Sequence, residues 1–311
     1  MSHEEILRDV AIAATGLQFP EGPIAMRDGS VLVVEIRRGT LTRVAPDGAK
    51  TVVAELGGGP NGAALGPDGA VYVCNNGGFE FHDMGDLAIP GHAPAGYDGG
   101  SIQRVELTTG AVKTLYTSCD GRGLRGPNDI VFDREGGFWF TDYGKHDDAR
   151  IDRGILYYAL PDGSRITAVR GGLIGPNGIG LSPDERTLYV AETLTSRLWA
   201  FDIASPGQLK PQDVPWMPGR LVAALPWFQM LDSLKMDAVG NVCVAGGPRG
   251  GITVFSPDGG FVHHVIEPPE LIVTNLSFGG ADGRDVWITE SGRGKLLRTR
   301  WGRPGLKLNF T

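Results

Sequence analysis

The chain has 311 residues, 41% of them hydrophobic, with 48 glycines and 21 prolines, a composition that suits many short elements joined by turns. A formal charge of -7 and no Lys/Arg cluster argue against nucleic acid or anionic membrane as partners. There is no basic segment leading into an apolar core, no apolar run as long as a membrane span, and only three scattered cysteines (Cys74, Cys119, Cys243) that read as reduced, mostly buried thiols, so a cytoplasmic protein is expected.

In chain order, one pattern recurs. "FPEGPIAMRDGSVLVVE" begins at Phe19, "GPNGAALGPDGAVYVCN" at Gly59, "GPNDIVFDREGGFWFTD" at Gly126 and "GPNGIGLSPDERTLYVAE" at Gly175. "LDSLKMDAVGNVCVAG" follows at Leu231 and "TNLSFGGADGRDVWITE" at Thr274. Each reads as an apolar run, a polar turn about seven residues on, and a second run rich in β-branched or aromatic residues, which is a hairpin. Taking the polar residue of each opening as a pivot gives Glu21, Asn61, Asn128, Asn177, Asp232 and Asn275, spaced 40, 67, 49, 55 and 43 residues apart. The stretches between copies leave room for two more strands, and a four-stranded unit of about 40–50 residues is a propeller blade. The expectation is all-β: a single six-bladed β-propeller over 1–311, with four-stranded antiparallel blades. "KLLRTRW" should close the ring against the N-terminal "VAIAATG", and no amphipathic helix is expected beyond the first few residues.

Innermost strands line a propeller's channel, so the six pivots should form a ring. Two carboxylates, Glu21 and Asp232, aimed into one narrow channel would repel each other, and a cation between them removes that cost. Hard divalent ions take carboxylate and amide oxygens, the set this ring offers. A second group lies where the second strands end: Glu35, Asn75, Asp142, Glu192 and Glu290, with Gly246 in the fifth blade. The acids among them are candidates to orient the ring through hydrogen bonds.

The motifs "FPEGP", "GPND", "GPNGIGLSPDERTLYVAET" and "TNLSFGG" resemble, over nearly the whole chain, the family of senescence marker protein, gluconolactonase and luciferin-regenerating enzyme. The resemblance implies a six-bladed propeller with one catalytic divalent metal at the channel mouth. It implies Glu21, Asn128, Asn177 and Asp232 as ligands and Asp232 as general base, or as nucleophile in related fluorophosphatases. It implies opening of a lactone ring, with the metal polarising the carbonyl. The ion is calcium first, with magnesium, manganese or zinc as alternatives. Two departures stand out. Ser233 follows Asp232 where many members have Gly, and Gly126 stands where animal members carry a substrate-binding arginine.

Asn61, Asn275, Tyr143, His146, Phe79 and Phe228 are the candidates to contact a small-molecule substrate. Phe79 belongs to an insertion near 76–101 and Phe228 to another near 205–230; both read as pocket walls on the pivot face. Their aromatic content points to a lactone less polar than a sugar lactone. The tandem His263–His264 alternates across a strand, with both expected near the surface. Rival readings are a metal-dependent hydrolase of another electrophile, such as an organophosphate or other cyclic carbonyl compound, and a calcium-binding propeller without chemistry. Neither the sequence nor the resemblance fixes the oligomeric state.

Overall fold

The repeated motifs begin strands. In the computed structural model, which describes residues 4–212, 214 and 216–311, the innermost strands are Pro20–Ala25, Pro60–Leu65, Pro127–Phe132, Pro176–Leu181, Met230–Met236 and Val273–Gly279. Each lies against the next and the last lies against the first, so the six enclose a channel. Each pairs with a second strand of its own hairpin, and outer strands complete antiparallel sheets around the axis. This is the expected six-bladed all-β propeller. Among the described residues there is no helix, and so none long and apolar enough to cross a membrane.

The ring closes as the sequence suggested. Ala11–Ala14 pairs antiparallel with Lys295–Arg300 as the outermost strand of blade six. The residues just before it form a strand rather than a helix, Glu4–Leu7, lying parallel to Phe261–Ile266. It gives blade five a fifth strand and corrects the reading of the histidine pair. His263 is fully buried and hydrogen-bonds Thr253 Oγ1 through Nδ1 at 2.9 Å, because the added strand covers what would have been the sheet edge. His264 is only partly exposed.

The apolar core is divided among the blade interfaces. Second strands are buried on both faces, which is why they read as unbroken apolar runs. In blade three, Phe138 and Phe140 pack toward blade two while Trp139, between them, packs toward blade four with Leu188 and Val190. Complete burial of such a side chain contributes about 1.5–3 kcal/mol. The thiols of Cys74, Cys119 and Cys243 are free and buried.

The inner strands share a bulge at the pivot. In blade three Pro127 pairs with Asp142 and Ile130 with Phe140, so Asn128 and Asp129 together stand opposite Thr141. Blades two, four and five break register at the same place. A bulge bends its strand and re-aims a side chain, here at the channel mouth. The residue after the pivot must then let the neighbouring strand close in. A Cβ on Gly178 would stand 2.6 Å from Asp232 O and 2.5 Å from Leu234 N. Gly178→Ala should therefore cost about 1–3 kcal/mol and lower the thermal midpoint by several degrees. An unchanged melting curve would show that the ring has slack at this seam.

The first insertion, unlike its sequence pattern, contains a hairpin, Phe81–Met84 with Leu87–Pro90. It forms a strap from blade two to blades one and six at the pivot end. Arg37 of blade one grips Asp83 with two hydrogen bonds (2.6 and 2.9 Å), Arg293 of blade six reaches Asp86 (2.8 Å), and Phe81 packs on Phe19. The second insertion is split, and its residues 213 and 215 lie outside the described set. Arg220–Ala224 is the outer strand of blade four. Trp216 precedes that strand, on the face away from the pivots, while Trp227 and Phe228 follow it, on the pivot face.

A cavity of about 1070 Å³ lies at the far end of the channel and is not lined by the pivots. The chain's last residues close over it: Leu306 N–H donates to Met236 O, and Asn309 Nδ2 donates to Phe132 O.

Candidate metal centre

All six pivots sit at the same end of the inner strands. Glu21, Asn61, Asn128, Asn177 and Asn275 are buried, and Asp232 is partly exposed. Glu21 Oε2 accepts hydrogen bonds from Gly22 N–H (2.9 Å) and Asn275 Nδ2 (2.7 Å). Asn275, a candidate for substrate contact, is thus committed to orienting Glu21. Asn177 Nδ2 donates to Thr193 Oγ1 at 3.1 Å, and the Thr193 hydroxyl donates to Leu231 O at 2.6 Å, tying blade four to the residue before Asp232.

What remains unpaired marks the site. Asn128 Oδ1 and Asn177 Oδ1 are buried with no hydrogen-bond partner, and buried acceptors are ordinarily satisfied. Burial pushes the Glu21 carboxyl up from its ordinary 4.5 to about 7. Burial first, and then the charge of Glu21, push Asp232 well above the carboxylate range, against a hydrogen bond from Asn177. A divalent cation would meet both needs: it gives the amide oxygens a partner and makes two neighbouring carboxylates tolerable. Among the described residues no three His, Cys, Asp or Glu side chains cluster as a metal site; this centre is half amide. The residues present fit a hard divalent ion held by Glu21, Asn128, Asn177 and Asp232.

The acids at the second-strand ends act through the backbone. Asp142 accepts N–H groups from Arg125 (2.7 Å), Gly126 (2.6 Å) and Gly144 (3.0 Å). Glu35 takes Gln18 N–H (2.6 Å), Glu192 takes Ile174 N–H (2.7 Å), and Asn75 takes Gly59 N–H (2.8 Å). Every donor but Gly144 lies two or three residues before a pivot, so these side chains fix the loop that delivers it. Blade five has Gly246 at this position, and the Gln229 side chain packs against it.

Glu290 differs. Its Oε2 accepts Arg293 N–H at 3.0 Å, while Oε1 is buried without a hydrogen bond. Burial, and then the charge of Glu270, raise its carboxyl to about 7 from 4.5. The folded protein therefore holds this proton more tightly than the unfolded chain does. The resulting stabilisation is whole below pH 4.5 and is lost as pH rises through about 7. Glu290→Gln stays neutral throughout, so its stability relative to wild type should improve between pH 5 and pH 8 in urea titrations. A gap independent of pH would rule this out.

The proposed substrate contacts divide. Tyr143 is partly exposed, and its phenol is pushed upward by burial and then by the Asp232 carboxylate, which places it beside the ring. His146 is exposed in the same loop, its ring 6.2 Å from Tyr143 and 6.3 Å from His92 of the strap. Phe79 lies in a seam: Lys145 Nζ stands 4.1 Å from its ring centroid and donates to Gly78 O at 2.8 Å. Burial lowers the Lys145 amine to about 8. Phe228 is 62% exposed and Met230 is 42% exposed. Met230 stands two residues before Asp232 on one strand.

Three residues escaped the sequence reading: Lys145, Asp129 and Lys235. Asp129 was legible as the one pivot-following residue with a charge, in place of Gly22, Gly62, Gly178, Ser233 or Leu276. Lys235 carried no local signal, because its partner lies two blades away.

Comparison with known proteins agrees with this architecture. The model of the SMP-30/Gluconolactonase/LRE-like region matches residues 19–292. A gluconolactonase of Zymomonas mobilis is 26% identical, over 95% of this chain and 83% of its own length. Lactonase drp35 of Staphylococcus saprophyticus is 29% identical, over 86% and 77% respectively. The solved structure of a gluconolactonase from Xanthomonas campestris superposes with a TM-score of 0.72 at 24% identity, covering 94% of this chain and 89% of that one. The last likeness speaks to the fold. The family match reaches from the strand of Glu21 past that of Asn275, through all six blades: the chain belongs to the SMP-30/gluconolactonase/LRE-like family.

Proposed function

We propose that this protein is a metal-dependent hydrolase that opens a lactone ring. The observation that carries the reading is the ring of two mutually repelling carboxylates, buried Glu21 and partly exposed Asp232, with two amides whose buried oxygens are unpartnered. Glu21, Asn128, Asn177 and Asp232 would hold the ion, and the all-oxygen set favours calcium over softer metals. When bound, a divalent ion polarises an ester carbonyl and stabilises negative charge on its oxygen.

The chain's own groups supply the rest. Asp232, the only partly exposed member of the ring, is placed to take a proton from an attacking water. Asn275 holds Glu21 in place, and Thr193 holds Asn177, so neither ligand reorganises during turnover. Tyr143 is available to hydrogen-bond a substrate oxygen. Phe228 and Met230, exposed at the rim by Asp232, favour a lactone with an apolar substituent over a polyhydroxylated one. The lactone-opening activities named for the Zymomonas and Staphylococcus relatives support this class of chemistry.

The test is a panel of alkyl-substituted, aromatic and sugar lactones, with a phosphotriester as comparison. Alkyl or aromatic lactones should give the highest kcat/KM. Preference for the phosphotriester would shift the reaction class, and no turnover of any ester by metal-loaded protein would defeat the reading.

A further inference from the structure

Next to the pivot ring an ion pair links blade three to blade five, its aspartate buried and its lysine partly exposed. Asp129, almost fully buried, follows Asn128 directly. Its Oδ1 accepts Ile130 N–H at 2.9 Å; its Oδ2 accepts Ile179 N–H of blade four at 3.4 Å and lies 3.7 Å from Lys235 Nζ of blade five. The Asp129 N–H donates to Thr141 Oγ1 (3.1 Å), whose hydroxyl donates to Asn177 O (2.6 Å). Lys235 Nζ also donates to Leu234 O at 3.0 Å. These bonds join the strands that carry Asn128, Asn177 and Asp232.

Packing does not explain the aspartate. Blades one, two and four place glycine at this position and close without a side chain there. A partly buried pair at this separation is a costly way to gain stability. Charge gives it a purpose. Glu21, Asp232 and Asp129 bring three negative charges to the channel and Lys235 removes one. We propose that the Asp129–Lys235 pair is a charge-balanced positioning strut beside the cation site, whose partners tune the ion's affinity in opposite directions and together leave the channel at the two negative charges that match one divalent ion. This rests on the metal reading above, but it can fail separately.

The two partners act in opposite directions on a cation. Calcium titration of chelator-stripped protein by calorimetry reads this without any substrate. Asp129→Asn should weaken calcium binding at least about tenfold, since one fewer charge faces the ion across a poorly screened interior. Lys235→Met should tighten it several-fold. The double variant, again at two negative charges, should return to within about threefold of wild type. A merely structural pair predicts instead that both single variants bind calcium more weakly, Lys235→Met included, because each strands the other partner's charge.

Asp129→Asn within twofold of wild type, or a double variant no tighter than Asp129→Asn, overturns the proposal. If Asp129→Asn does not fold, Lys235→Met decides alone: it must bind calcium more tightly than wild type. Wild-type protein that binds calcium while the variants stay flat defeats the strut only. Wild-type protein that binds no calcium, magnesium or manganese defeats the metal reading too.

Discussion

Asp232→Asn should lower kcat for the best lactone by about 10²–10⁴-fold, the usual contribution of a positioned general base, at metal concentrations high enough to keep the ion bound. Asn preserves an oxygen ligand and nearly the same shape, so the change isolates proton transfer. In the wild type, burial and the charge of Glu21 together work against ionisation of Asp232. A bound divalent ion offsets that bias, leaving Asp232 ionised, and so able to accept a proton, and still exposed enough to meet water. Asn cannot take the proton. KM should change much less than kcat, since the rim formed by Phe228, Met230 and Tyr143 is untouched. Equal kcat in wild type and variant, with the ion demonstrably bound, would remove Asp232 from the chemistry and leave it as a ligand only.

Stripping the ion should have the second large effect. Without it, Glu21 holds its proton up to about pH 7 in the folded protein, against 4.5 ordinarily. This group's stabilising contribution is whole below 4.5 and is lost as pH rises through 7. By pH 8 the loss amounts to about 3 kcal/mol, before the second carboxylate is considered. The stripped protein should therefore melt progressively lower from pH 5 to pH 8, while the metal-loaded protein stays nearly flat over that range. The thermal gain from added calcium should widen with pH, reaching on the order of 5 °C or more at pH 8. Turnover should vanish on stripping and return on adding the ion. A thermal gain of constant size at every pH would mean that the ion does not sit between these carboxylates.

The architecture was legible because a propeller repeats itself. Six hairpins with a polar residue at the same offset are visible in a single sequence, and shared geometry turns equal offsets into a ring. The limits were equally physical. Arg220–Ala224 pairs with Arg197–Ser205 across a long connection, so its strand character depends on a partner that local pattern does not show. The strap hairpin and Glu4–Leu7 are short strands whose stability comes from tertiary contacts. At the centre, the four proposed ligands were implied by motifs, but the partners that hold them were not. Thr193 and Asn275 act across blade boundaries, and Asp129 meets Lys235 two blades away. Such pairings exist only once the ring is closed.

That closure has a consequence for how the molecule is made. Ala11–Ala14 finds its place only beside Lys295–Arg300, so one segment must wait for a partner synthesised much later. Until then blade six lacks its outer strand, blade five lacks the cover of Glu4–Leu7, and both edges are open to neighbouring chains. Such long-separation contacts slow assembly, and the interval before the two ends meet is when a nascent copy is most vulnerable to aggregation and most in need of a chaperone.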